Sequence, residues 1–203
     1  MIAHVAVGAA LLVSAATGTT PNAHQLDEYL QATTIAVGKD RVRAEVRLTP
    51  GVAVVARILA VIDQDANGVI SAAEQRSYAA RVRRDLSLAI DGTPLSLRAL
   101  GWTFASIEEM KQGRGTIRID FEATVPHGAG TRQLTFENIH QVRIAAYLVN
   151  ALVPRDPDIR ITGQHRTYEQ SSYQLDYSQA GARPTQAKTV RASSPSALLT
   201  GGR

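Results

Sequence analysis

Residues 63–74 hold the side chains whose types and spacing best fit a chemical function, and they read Asp-Gln-Asp-Ala-Asn-Gly-Val-Ile-Ser-Ala-Ala-Glu. Ca²⁺ takes about six to eight oxygen ligands at roughly 2.3–2.6 Å, and the EF-hand loop supplies them at this spacing. The predicted ligands are the side chains of Asp63, Asp65, Asn67, Ser71 and Glu74 and the backbone carbonyl of Val69. The segment therefore predicts a Ca²⁺ site.

The spacing gives each position of this loop a distinct role. Gly68 permits the sharp turn that follows the first three ligands. Ser71 is expected to bind directly or through a water, and Glu74 is expected to bind with both carboxylate oxygens from the helix that leaves the loop. The alternative is a polar turn that binds no metal. We disfavour it because every ligand position holds a competent residue and both flanks have helical periodicity.

A second loop of this kind is not found in the sequence. The segment 156–158 lacks the glycine and the distal glutamate, and Asp91-Gly92 lacks preceding acids. EF-hands usually pair through the eighth loop residue, so Ile70 is expected to pack either on the rest of the domain or against a second chain. We expect a weak site with a structural ion, because the flanking helices lack the Met-rich surface that calcium sensors expose.

Strands are predicted on both sides of the loop. Apolar and polar residues alternate over 41–48 and 117–125, and Asp91-Gly92 separates the short runs 86–90 and 95–97 as a hairpin turn would. Further predicted strands cover 33–37, 133–136, 145–153, 159–163 and 173–177. The stretch 147–153 is almost wholly apolar, which is typical of a central strand.

Helical periodicity flanks the loop itself. Thr49 is predicted as an N-cap with Pro50 at the first helical position, and apolar residues then recur at helical spacing up to Ile62. Tyr78 and Val82 continue the pattern after the loop. The predicted fold class is α+β, mainly β: an antiparallel β-sandwich-like domain with an EF-hand helix–loop–helix inserted at about residues 50–86.

The chain has 203 residues and no cysteine. Residues 1–23 carry no charged side chain and begin with an apolar run too short to span a bilayer, which predicts a signal peptide, with a buried N-terminal helix as the alternative. Cleavage is expected after Ala23 or nearer Ala16. Residues 24–179 then form the domain, and residues 180–203 form a disordered tail. We therefore expect a periplasmic or secreted protein.

Composition and motifs exclude several classes of function. The four basic residues of the tail account for the net charge of +4, so no nucleic-acid-binding surface is expected. There is no nucleophile elbow, P-loop or dinucleotide fingerprint, and we expect a non-enzymatic protein. Glu108 and Glu109 are expected on a solvated face, and Trp102 in the core. If cleavage follows Ala23, His24 becomes the new N-terminus, where amine and imidazole can chelate a transition metal together.

Three segments carry a resemblance to a known group. Residues 23–32 (Ala-His-Gln-Leu-Asp-Glu-Tyr-Leu-Gln-Ala), 48–52 (Leu-Thr-Pro-Gly-Val) and 147–154 (Tyr-Leu-Val-Asn-Ala-Leu-Val-Pro) resemble uncharacterised exported bacterial proteins. In that group a similar domain precedes a membrane region similar to HupE/UreJ-type proteins, which are associated with nickel or cobalt. The resemblance implies a second candidate function: an accessory domain that handles nickel, cobalt or copper for a membrane transporter, with a protein or membrane-protein partner.

Overall fold

The computed structural model describes residues 27–181, so the predicted signal peptide, His24 and the tail beyond residue 181 lie outside the described residues. The strands are β1 Tyr29–Val37, β2 Arg41–Pro50, β3 Leu86–Ile90, β4 Thr93–Pro94, β5 Arg98–Thr103, β6 Ile117–Thr124, β7 Gly130–Asn138, β8 Ala145–Ala151, β9 Ile159–Arg166 and β10 Ser172–Gln179. The helices are α1 Val55–Ile62, α2 Ala72–Arg84 and α3 Ile107–Lys111.

The described strands form two five-stranded sheets. The first sheet has the order β5-β6-β2-β1-β8 and the second has the order β4-β3-β7-β10-β9. Residues alternate between buried and more exposed along most strands, and most of the buried apolar residues of both sheets belong to one hydrophobic cluster. The prediction of a mainly β, α+β domain is therefore confirmed.

The strand formed by residues 145–151 differs from its prediction in two ways. β8 runs parallel to β1, so the arrangement is not wholly antiparallel. β8 also lies at the edge of its sheet, and the prediction of a central strand was wrong. The long apolar run suggested a strand buried on both faces, but one of its faces is exposed. Leu148 is 45% exposed and Leu152 is 52% exposed.

The predicted turn at Asp91-Gly92 is present, but the second arm of its hairpin is not the predicted one. Both turn residues have positive φ, at 51° and 76°, as a tight two-residue hairpin turn requires. The second arm, β4, has only two residues, and 95–97 form no strand. One further backbone hydrogen bond follows β4, from the Leu95 N–H to the Leu88 carbonyl at 2.8 Å. The chain then crosses to the first sheet, where β5 pairs with β6.

The helix–loop–helix lies between β2 and β3, as predicted, but it begins later than expected. Thr49 and Pro50 are the last residues of β2, and α1 starts at Val55. The predicted cap was wrong because β2 pairs with β1 as far as Pro50, whereas its pairing with β6 ends at Leu48. Among residues 27–181, no helix has both the length and the hydrophobicity needed to cross a bilayer.

Candidate metal centre

The loop that follows α1 is held from both ends by buried helical side chains. Ile58 and Ile62 of α1 are fully buried, and Tyr78 and Val82 of α2 are at most 2% exposed. The loop residues from Asp65 to Val69 are exposed, in contrast. The helices thus fix where residues 63–74 begin and end, while the middle of the loop faces solvent.

Three predicted ligands converge in this loop. One carboxylate oxygen from each of Asp63, Asp65 and Glu74 lies within 4.8 Å of the other two. Within residues 27–181, no other group of three or more acidic or histidine side chains meets this condition. Residues that are eleven positions apart in the sequence are therefore brought together as the spacing predicts.

Backbone N–H groups orient the two aspartates. Asp63 accepts from the Asn67 N–H at 3.1 Å and from the Gly68 N–H at 3.0 Å, and Asp65 accepts from the Asn67 N–H at 3.2 Å. Ala66 and Gly68 have φ of 55° and 82°, so the chain coils tightly enough to turn these donors inward. These N–H donors partly offset the repulsion between the carboxylates. The repulsion was expected from the sequence, but the donors were not.

Glu74 is fixed by a capping box at the start of α2. Its Oε2 accepts from the Ser71 N–H at 2.9 Å and from the Ser71 hydroxyl at 2.8 Å. Its Oε1 accepts from the Gln64 N–H at 2.7 Å, across the mouth of the loop. Hydrogen bonds from the Ser71 backbone and hydroxyl, and then from the Gln64 and Asp65 backbones, hold the pKa of Glu74 below its ordinary value. These hydrogen bonds therefore favour the ionised carboxylate.

The other predicted ligands lie in the same coil. The amide Oδ1 of Asn67 accepts from the Val69 N–H at 2.8 Å, and its Nδ2 donates to Asp65 at 2.8 Å. Val69 is 66% exposed, in accord with a position where only the carbonyl is needed. The Ser71 hydroxyl is engaged with Glu74 on both its donor and acceptor sides. This geometry favours a water-mediated role for Ser71 over direct contact.

Ile70, the eighth loop residue, faces the body of the domain. It is half-buried against the hydrophobic cluster, and it lines a cavity of about 380 Å³ with Phe104, Ala105 and Ile107. Its carbonyl accepts from the Gln75 side-chain amide at 3.2 Å. The contact with the hydrophobic cluster supports packing of Ile70 on its own domain, and the segment between β5 and α3 borders the same cavity.

A buried polar network that sequence reasoning missed anchors the far end of α2. The Tyr78 hydroxyl bonds Tyr29 at 2.6 Å and His140 Nε2 at 3.0 Å, and Asp85 lies 2.6 Å from His140 Nδ1. Burial lowers the pKa of His140, against the opposing effect of the Asp85 carboxylate. These residues lie far apart in the chain, so no local pattern could reveal them. The network positions α2, and with it Glu74.

A second capping box begins α3, at Ser106 and Glu109. Glu108 and Glu109 are exposed, as predicted, although the helix that carries them was not predicted. Trp102 is half-buried and packs against the hydrophobic cluster, so its predicted place in the core is confirmed only in part.

Comparison with known proteins adds no assignment to this geometry. No protein-family model matches the chain, and no curated protein and no solved structure matches it either. The resemblance to exported bacterial proteins stays a prediction.

Proposed function

We propose that this chain is an exported calcium-binding protein in which one Ca²⁺ ion at residues 63–74 ties α1 to α2 on a sandwich-like β domain. The observation that carries the proposal is the approach of the Asp63, Asp65 and Glu74 carboxylate oxygens to within 4.8 Å of one another. Carboxylates this close repel when no cation lies between them, and a bound divalent cation reverses that repulsion.

The donor set favours Ca²⁺ over other divalent cations. All six candidate ligands supply oxygen, whereas Zn²⁺ sites draw mainly on histidine nitrogen and cysteine sulfur. Mg²⁺ demands near-octahedral geometry and keeps several waters, whereas Ca²⁺ accepts a carboxylate through both oxygens. Both oxygens of Glu74 point toward the loop backbone, because they accept from Gln64 and Ser71. A bidentate glutamate in an all-oxygen set is typical of Ca²⁺.

The proposed role of the ion is structural, and the chain acts as a non-enzymatic interaction module. α1, α2 and the segment carrying Phe104 to Ile107 are already packed together by buried side chains, so the ion adds stiffness to a formed unit. A solitary site of this kind suits the calcium concentrations outside the cytoplasm, where affinities of extracellular modules are weak. The alternative role in nickel, cobalt or copper handling rests on His24, which lies outside the described residues, and on the resemblance to exported bacterial proteins.

Calorimetry on the calcium-free full chain tests the proposal. We expect about one Ca²⁺ per chain, and we expect Glu74→Gln to weaken binding roughly a hundredfold, because the substitution removes one charge and one bidentate ligand. Glu109→Gln is the matched control, since Glu109 occupies the same capping position but belongs to no group of three converging acids in the described residues, and it should leave the affinity unchanged. Equal affinity in wild type and Glu74→Gln would contradict the proposal.

A further inference from the structure

A surface groove lies between α2 and β5, and the buried residue Ala79 of α2 is among the residues that line it. Its volume is about 300 Å³. Side chains from both elements line it, and those that matter here are Arg76, Ala79, Ala80, Arg83, Arg98 and Trp102.

The groove is electropositive. Arg76 and Arg83 are exposed, and neither forms an ion pair with another described residue. Arg98 donates one guanidinium nitrogen to Glu122 at 3.2 Å, and this exposed side chain has further donors free to turn toward the groove. No carboxylate lines the groove. An anionic partner is therefore complementary to this surface.

The spacing of the arginines selects an elongated partner. Arg76 and Arg83 lie seven residues apart on one helix, which places their α-carbons about 10.5 Å apart along the axis. Side chains that leave the helix at points this far apart can each meet a separate anionic group. A polyproline II segment rises about 3.1 Å per residue with three residues per turn, so carboxylates three residues apart lie on one side about 9.3 Å from each other.

The residues between the arginines fit such a segment. Ala80 is partly exposed between the two arginines, and its small side chain leaves room for a backbone to lie close. Trp102 is half-buried on the opposite wall, and its indole N–H has no partner among the described residues. Aromatic-lined grooves bind proline-rich segments by packing on the proline rings, with indole N–H donors taking backbone carbonyls.

We propose that this groove binds an acidic, proline-rich segment of a partner protein in the polyproline II conformation, with carboxylates three residues apart on Arg76 and Arg83. The inference rests on the proposed role as an interaction module, and it adds the surface and the chemistry of the partner. It requires no residue of the calcium loop.

Trp102 is the sole tryptophan of the chain, so its fluorescence reports on the groove directly. The probes are an end-blocked peptide of Glu-Pro-Pro repeats and an isomer of the same composition with its glutamates adjacent. Titration of the full chain with the first peptide should give a saturable change in Trp102 emission and at least threefold tighter binding than the isomer. Equal binding of the two peptides, or no saturable change, would overturn the proposal.

Paired variants assign the binding to the groove. The double substitution Arg76→Gln with Arg83→Gln should weaken peptide binding roughly tenfold, since it removes two charge-assisted contacts. The matched control, Arg143→Gln with Arg160→Gln, changes the net charge equally at exposed arginines outside the groove and should leave affinity unchanged. Equal losses in the two double variants, or tighter binding of inorganic polyphosphate than of the peptide, would contradict a peptide site.

Calcium calorimetry on the same samples separates this inference from the calcium proposal. Calcium binding without peptide binding would overturn only the proposal that the groove binds a peptide. Peptide binding by a chain that takes up no Ca²⁺ would support the groove and overturn the calcium site.

Discussion

Ser71 and Glu74 begin α2 in nearly the same way that Ser106 and Glu109 begin α3. The serine N–H lies 2.9 Å from the glutamate Oε2 in both boxes, and the serine hydroxyl donates to that oxygen at 2.8 Å in the first and 2.7 Å in the second. Hydrogen bonds from the serine hold the pKa of both glutamates below the ordinary value.

The surroundings of the two boxes differ. Glu74 is 9% exposed, and its second oxygen accepts from Gln64 beside Asp63 and Asp65. Glu109 is exposed, and no comparable group of acids surrounds it in the described residues. Both Ser-x-x-Glu segments therefore begin a helix. Among the described residues, only Glu74 has two further carboxylates brought close to it by a preceding coil.

The largest expected difference between the boxes is in stabilisation by calcium. Free Ca²⁺ at a hundredfold above the dissociation constant should raise the free energy of unfolding by about 2.7 kcal/mol. For a domain of this size, that corresponds to a rise in Tm of roughly 5–10 °C. Thermal unfolding of calcium-loaded and chelator-treated protein should show the rise in wild type and Glu109→Gln but not in Glu74→Gln. A rise in Tm that persists in Glu74→Gln would show that calcium stabilises the protein without Glu74.

A smaller difference is expected from loss of the caps themselves. Ser71→Ala should lower the free energy of unfolding by about 1 kcal/mol in calcium-free buffer, the usual effect of losing an N-cap. Ser106→Ala should have less than half that effect, because α3 has five residues whereas α2 has thirteen and buries Tyr78 and Val82. Urea unfolding of both variants measures the two losses in the free energy of unfolding. Equal losses would show that the length and burial of α2 add nothing to the value of its cap.

The smallest expected effect is on pH dependence. The folded pKa of Glu74 and of Glu109 is lowered from an ordinary value of 4.5, so each carboxylate stabilises the fold above that value. This contribution is lost as pH falls through the lowered folded pKa. Urea unfolding of calcium-free protein from about pH 6 to about pH 3 should show a shallower acid loss in Glu74→Gln and in Glu109→Gln than in wild type. An unchanged acid loss in both variants would contradict the assigned hydrogen bonds.

The loop was predictable because its information is local. The spacing of the acids and the turn at Gly68 lie within residues 63–74, where Asp63, Asp65 and Glu74 converge. The capping box at Ser71 was not predicted. The alternation of β2 and β6 was equally readable, since one buried face leaves a period of two.

Features that depend on distant pairing were not predictable. Whether Pro50 ends a strand or begins a helix depends on the register of β2 against β1. Whether β8 is central or at an edge depends on its parallel pairing with β1. The network around His140 joins residues up to 109 positions apart, and no periodicity relates them. The groove between α2 and β5 was missed for the same reason, since β5 itself was not predicted.

A crystal structure of the full chain grown with Ca²⁺, with anomalous diffraction to locate the ion, tests the central claim most directly. We expect one ion in the loop, with oxygens of Asp63, Asp65, Asn67 and Val69 and both carboxylate oxygens of Glu74 at about 2.3–2.6 Å. A loop without an ion at saturating Ca²⁺, in which Glu74 still bonds only Ser71 and Gln64 as Glu109 bonds Ser106, would contradict it.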